Sequence, residues 1–202
     1  MNYPAYKKKY TGVILAGGEN RRYNGEIKSL LHIEGKPIIE RILEVYKSLF
    51  DDILVVTNTI GAFEKYSDFR MVSDFFMKAG PLGGIHAAMK SSSSEALFVV
   101  AGDMPWLSVG IIDMMIRHFE STHCEVLIPA GYSGYIEPMH AIYSRSLEQR
   151  LEQFLETSSN LAIREFLKLT KVEYLVVETE EGSRNPFSNI NSPGDLARNT
   201  KG

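Results

Sequence analysis

The chain is 202 residues long, 44% hydrophobic and 23% charged, the proportions of a soluble globular protein and a length that suits one domain. A formal net charge of −3 offers no field for a polyanion, which argues against nucleic acid as a partner. Cys124 has no second cysteine to pair with, and its setting, Cys124-Glu125-Val126-Leu127-Ile128, predicts a buried thiol in a reducing compartment.

Nothing reaches the ~18 consecutive apolar residues of a membrane span, so no membrane partner is expected. Residues 1–10 hold Lys7, Lys8 and Lys9 with no apolar run behind them; they read as a flexible lead-in rather than a signal peptide. Gly12 to Ala16 is then apolar throughout, as a centrally buried strand is. Pro37 opens a helix whose apolar face is Ile38, Ile39, Ile42, Val45, Tyr46 and Leu49, at spacings of three and four. Ile53 to Thr57 predicts a second strand and Met71-Val72 a short third.

Leu82 to Met89 reads as helix and Ala96 to Ala101 as another apolar strand, with Ser91 to Ser94 a polar loop between them. Ser108 caps the next helix, which buries Ile112, Met115, Ile116 and Phe119. Strands follow at Val126 to Pro129 and Met139 to Tyr143, the second with His140 pointing outward. Leu147, Leu151, Phe154 and Leu155 line one helix, Leu161 to Leu169 forms another, Val172 to Val177 is the last strand, and a helical turn starts near Pro193. Strands alternating with helices predict one doubly wound, three-layer α/β domain over residues 1–202, whose ligand sits beyond the carboxyl ends of the strands.

The loop after the first strand is the richest in chemistry. Leu15-Ala16-Gly17-Gly18 lets bare backbone approach a ligand, and Arg21, Arg22 and Lys28 add three cations, a combination that fits a triphosphate. The loop has neither the Walker nor the dinucleotide glycine spacing. A flexible loop with ordinary surface cations is the alternative. Asp103 follows the fourth apolar strand, where a hard carboxylate suits Mg²⁺ or, alternatively, caps the next turn. No histidine or cysteine spacing suits a zinc site, and no Gly-x-Ser-x-Gly is present.

Leu15-Ala16-Gly17-Gly18, Arg22, Lys28-Ser29-Leu30-Leu31 and Gly35-Lys36-Pro37 resemble the signature of the nucleotidyltransferase superfamily, and within it the molybdenum cofactor guanylyltransferases. The likeness runs along nearly the whole chain. Thr57-Asn58, Asp74, Gly80-Pro81-Leu82-Gly83-Gly84, Asp103-Met104-Pro105-Trp106, Glu137-Pro138-Met139-His140-Ala141 and Asn189-Ile190-Asn191-Ser192-Pro193-Gly194-Asp195-Leu196 each match a family segment. The chain departs at Tyr23, Asn24 and Ile27, where the family has methionine, glycine and often an acid, and at Glu137, where it has glutamine.

What the resemblance implies is a Rossmann-like α/β/α domain with a mostly parallel, mixed sheet, of the nucleotide-diphospho-sugar transferase type. It implies transfer of GMP from GTP to molybdopterin, with Mg²⁺ on Asp103, in the cytoplasm. Leu15, Ala16, Gly17, Gly18, Lys28, Asn58, Asp74, Gly83 and Asp103 would bind the nucleotide; Lys28, Arg22 and Asp103 would act in catalysis. Asn189 and Asn191 would lie toward the acceptor or the metal. Transient contact with other molybdenum cofactor biosynthesis proteins or acceptor molybdoenzymes is also implied. The Gly17-Gly18 pair favours guanine over the cytidylyl relatives, which carry alanine at the first position. Cytidylyl transfer, transfer to a sugar phosphate, and a nucleotide-binding relative without catalysis stay open.

Overall fold

The computed structural model describes residues 6, 9–17, 27–131, 134–178 and 184–190. Nine strands and five α-helices follow in chain order among these residues. They are β1 (Tyr10–Leu15), β2 (His32–Ile33), β3 (Lys36–Pro37), α1 (Ile38–Leu49), β4 (Asp52–Val56), β5 (Arg70–Val72) and α2 (Pro81–Ser91). Then come β6 (Ala96–Ala101), α3 (Val109–Ser121), β7 (Val126–Ala130), β8 (His140–Ser144), α4 (Glu148–Thr157), α5 (Ile163–Leu167) and β9 (Val172–Val176).

Seven strands form one sheet in the order β5-β4-β1-β6-β8-β7-β9, and β2 with β3 makes a small hairpin beside it. β1 pairs in parallel with both β4 and β6, whereas β8 runs against β6 and β7. The chain therefore winds outward from β1 to β4 and β5, then crosses back through α2 to β6. The carboxyl end of β1 is the topological switch point, where a doubly wound sheet opens a crevice.

Alternation along the strands divides the core between the two faces. Ile14, Val55, Phe98, Val100, Leu127 and Ile142 pack on α1 and α3. Val13, Leu54, Val56, Leu97, Val99, Val126 and Tyr143 pack on α2, α4 and α5. Both faces are covered, so the central strands read as continuous apolar runs. Gly12 makes the first layer possible: a Cβ there would stand 2.6 Å from the Tyr46 ring and 2.7 Å from that of Phe50. Tyr46 is fully buried, and its hydroxyl donates to the Phe98 carbonyl at 3.1 Å.

Several expectations are corrected. α1 begins at Ile38, because Pro37 is still extended and serves as its N-cap. Residues 161–169 form only the five-residue α5, whose approach is fixed by Asn160 accepting from the Ala162 N–H at 3.1 Å. Ile60–Tyr66 folds as 3₁₀ helix around buried Phe63. Most of the expected lead-in lies outside the described residues; of those described, the Tyr6 N–H donates to the Leu49 carbonyl at 2.7 Å, and Tyr10 starts β1. His140 points into the core, fully buried between Phe98 and Phe187 rings, because β8 is an interior strand with both faces covered. The polar loop before β6 is present from Ser92, with Ser92 and Ser94 buried as partners of Thr11, and Cys124 is only half-buried. Ser108 does cap α3, accepting from the Ile111 N–H. No described helix is long and apolar enough to cross a membrane.

Candidate functional site

Four neighbouring strands end along one rim, and each delivers a residue singled out in the sequence. β5 leads to Asp74, β4 to Asn58, β1 to Ala16 and Gly17, and β6 to Asp103. From β5 to β6 is three strand spacings, roughly 14 Å, comparable with an extended nucleoside triphosphate. Gly18, Arg22 and Asn191 lie outside the described residues, as do Tyr23 and Asn24.

At one end of this row Asn58 and Asp74 hold each other reciprocally. The Asn58 amide donates to the Asp74 carboxylate at 3.0 Å, and the Asp74 N–H donates back to Asn58 Oδ1 at 3.0 Å. Burial pushes the Asp74 carboxyl above its ordinary value, and the bond from Asn58 partly offsets this. The start of α2 presses on the pair. A Cβ at Gly83 would stand 3.0 Å from the Phe76 carbonyl oxygen, and one at Gly84 would stand 3.0 Å from the Leu15 side chain. Space is therefore tight against backbone at Gly83, whereas at Gly84 the Leu15 side chain would have to give way. Gly80 sits at φ +60 and ψ −147, a conformation open essentially to glycine alone, and Pro81 then starts the helix.

Gly17 is different. An alanine Cβ there would meet Thr57 at 3.8 Å, an ordinary contact, and its φ is not positive. Among the described residues, neither packing nor backbone conformation demands glycine at 17.

At the other end lies the charged core of the crevice. Lys28 stands on a single 3₁₀ turn, Lys28–Leu30, and its ammonium reaches Asp103 Oδ2 at 3.3 Å. Gly102 lets these segments converge: its N–H donates to the Leu15 carbonyl at 2.9 Å, and a Cβ there would meet Ser29 at 3.1 Å. Ile27, the departure from an acidic residue, packs on the α1–α3 face of the core. Burial raises the Asp103 carboxyl, with Lys28 pulling in the opposite sense.

Two further groups complete this cluster: Glu137, and the segment whose Asn189 the resemblance sets toward the acceptor or the metal. Glu137 is 6% exposed and close enough for the charge of Asp103 to act on it. Burial raises its carboxyl, while the Tyr135 hydroxyl, the Met139 N–H and the Asn189 amide all donate to it. Residues 184–190 pass over the rim, and the Ile190 N–H donates to the Asp103 carbonyl at 2.9 Å. The resemblance marks the Glu137 segment and its departure from glutamine, but sequence alone does not show that β8 runs backwards and brings Glu137 to the rim.

The donor set fits a hard divalent cation that shares its coordination with phosphates. Asp103 supplies a carboxylate at the rim, and Asn189 Oδ1 is buried and accepts no hydrogen bond. Among the described residues no three His, Cys, Asp or Glu side chains converge on one point, so the protein alone does not cage an ion. That pattern suits a divalent ion held jointly with a ligand's phosphates rather than a structural metal.

Comparison with known proteins agrees with this geometry. Residues 12–174 match the family model for the MobA-like NTP transferase domain. The probable molybdenum cofactor guanylyltransferase of Thermococcus kodakarensis is 39% identical over 196 residues, covering 94% of this chain and 93% of that protein. Its counterpart in Natranaerobius thermophilus is 36% identical over 198 residues, 95% of each. The crystal structure of molybdopterin-guanine dinucleotide biosynthesis protein A from Archaeoglobus fulgidus superposes with a TM-score of 0.76 at 29% identity, covering 93% of this chain and 95% of that one. With the sheet order, the rim residues and these matches in agreement, the chain belongs to the MobA-like NTP transferase family.

Proposed function

We propose that this chain, working as one nucleotidyltransferase domain in the cytoplasm, transfers GMP from GTP to the phosphate of molybdopterin and releases pyrophosphate. The observation that carries this reading is the Lys28–Asp103 pair, an ammonium and a partly desolvated carboxylate at 3.3 Å beside the switch point. Relatives named as molybdenum cofactor guanylyltransferases at 30–39% identity support guanine and the pterin acceptor.

In this mechanism an oxygen of the acceptor phosphate forms a bond to the α-phosphorus of GTP. The bond from that phosphorus to the α,β-bridging oxygen breaks in line, and the bond's electrons leave with pyrophosphate. The acceptor is ionised at neutral pH, so no general base is required and the protein's task is positioning and charge neutralisation. Gly17, with Leu15, Ala16 and Gly18, offers backbone to the phosphates. Asn58 and Asp74, braced by the close-packed Gly83, take the base and ribose end. Lys28 and Arg22 neutralise charge growing toward the leaving pyrophosphate. Asp103 and Asn189 would hold Mg²⁺, which when bound supplies Lewis-acid neutralisation of the phosphate oxygens. Asn189 and Asn191 are assigned, as the family segment implies, to the acceptor side or the metal end. Partner proteins would be other molybdenum cofactor biosynthesis proteins or acceptor molybdoenzymes, met transiently.

Pyrophosphate release with GTP, magnesium and molybdopterin is the direct test, run beside CTP and ATP. GTP should support turnover well above the other two. Equal or faster turnover with CTP would overturn the base assignment, and nucleotide binding without turnover on any phosphorylated acceptor would overturn catalysis.

A further inference from the structure

The segment 184–190 carries Asn189 to the rim without helix or strand to hold it. Its inner end is fixed by the Ile190 N–H on the Asp103 carbonyl, and its middle by the Phe187 ring, edge-on to His140 at 5.0 Å. The outer end is fixed by something the sequence motifs do not contain. The Arg184 guanidinium lies 4.0 Å over the Trp106 ring and forms a two-pronged ion pair with Glu34 at the tip of the β2–β3 hairpin. Arg41 completes the cluster from α1. It bonds the Ile33 carbonyl at 2.6 Å and Glu34 at 3.1 Å, and it lies 5.0 Å from the same indole.

An exposed ion pair alone contributes little. Here the pair is bidentate, shares its carboxylate with a second arginine, and is stacked on an indole that is only 9% exposed. Trp106 stands where the family resemblance has phenylalanine, and the wider ring accommodates both guanidinium groups. Glu34 itself is held at φ 52 in the hairpin turn, and its carboxylate meets Arg184.

We propose that Arg184 is a positioning residue, latched by Trp106 and Glu34, that draws residues 184–190 across the rim and so sets Asn189 beside Glu137 and Asp103. This rests on the guanylyl-transfer reading only for which substrate the positioning serves. The acceptor should feel the latch, because Asn189 adjoins Glu137 rather than the Asn58–Asp74 end of the row.

Trp106 is the single tryptophan of the chain, so its emission reports the latch without any need for turnover. In Arg184→Ala, acrylamide quenching of Trp106 should rise about three-fold with an unchanged thermal midpoint, as expected of a local opening. Arg184→Lys keeps the charge but not the planar fork, so its quenching should stay within about two-fold of the alanine variant. In steady-state kinetics Arg184→Ala should raise KM for the phosphorylated acceptor about ten-fold and leave KM for GTP within about two-fold. Quenching equal to that of the wild type, full recovery by lysine, or equal rises in both KM values would each overturn the proposal. A wild-type chain that releases no pyrophosphate sinks the guanylyl-transfer reading instead, and the quenching comparison still decides the latch.

Discussion

Both ends of the sheet gather buried polar side chains, and they treat them in opposite ways. At the amino end Thr11 is completely buried, and its hydroxyl lies within hydrogen-bond distance of Asp52, Ser92 and Ser94 at 2.7–2.9 Å. Arg70 donates to Asp52 and to the Ser91 carbonyl, and Arg145 donates to the Ser94 carbonyl. At the carboxyl end Asp74, Asp103 and Glu137 are all pushed up by burial, and Ser29 Oγ and Asn189 Oδ1 are buried with no hydrogen bond. A network whose members satisfy one another is a structural fastening. A cluster held short of satisfaction keeps its capacity for a ligand, and stability is given up to keep it.

The sharpest way to break that contrast is at Asp103. Asp103→Asn should lower turnover by about 10³-fold, since a charge placed for the transition state is removed. Its thermal midpoint should not fall, because the lost carboxylate was already disfavoured by burial. A parallel loss of activity and stability in melting and kinetic assays would place Asp103 with the fastenings. Lys28→Ala should lower kcat by about 10²-fold, with a smaller effect on GTP affinity measured by calorimetry. A normal kcat would remove Lys28 from catalysis.

Thr11→Val is the mirror experiment at the amino end. It leaves Asp52, Ser92 and Ser94 without their shared partner and should cost about 1–3 kcal/mol in denaturant unfolding, with kcat unchanged. A fall in kcat with no loss of stability would erase the distinction between the two ends. The smallest effect is on pH. The folded values of Asp74, Asp103 and Glu137 are raised, so their neutral forms suit the fold. Their stabilising contribution is complete below the unfolded carboxylate values and is lost as pH rises through the raised folded ones. Cation-dependent GTP binding runs the other way, weakening as pH falls through the Asp103 value, with proton release on binding. Melting curves against pH for the wild type and Asp103→Asn should show a shallower acid-to-neutral decline in the variant.

Which parts were legible in the sequence follows from range. β1, β4, β6 and α1 were readable because burial on both faces writes itself as an apolar run or a three-and-four spacing. Asp103, Lys28, Asn58 and Asp74 were readable because each directly follows a strand or a glycine-rich loop. The Arg184–Glu34 contact spans 150 positions, and no local pattern encodes it. His140 was misread because period-two alternation assumes a solvent face, which β8 lacks. Ser92 and Ser94 do lie in the loop read from composition, but composition reports polarity and not the buried hydroxyl waiting for them on β1.

The reversal of β8 also changes how the molecule can be remodelled. In an all-parallel sheet every second connection opens on the far rim and cannot reach a ligand. Because β8 runs backwards, the link from Ala130 to His140 starts and finishes on the near rim, contributing Tyr135 and Glu137 there. Its length and composition can drift without disturbing the parallel strands that bear Asn58, Asp74 and Gly17. One hairpin can thus be rebuilt at the rim while the strands beside it keep their pairing.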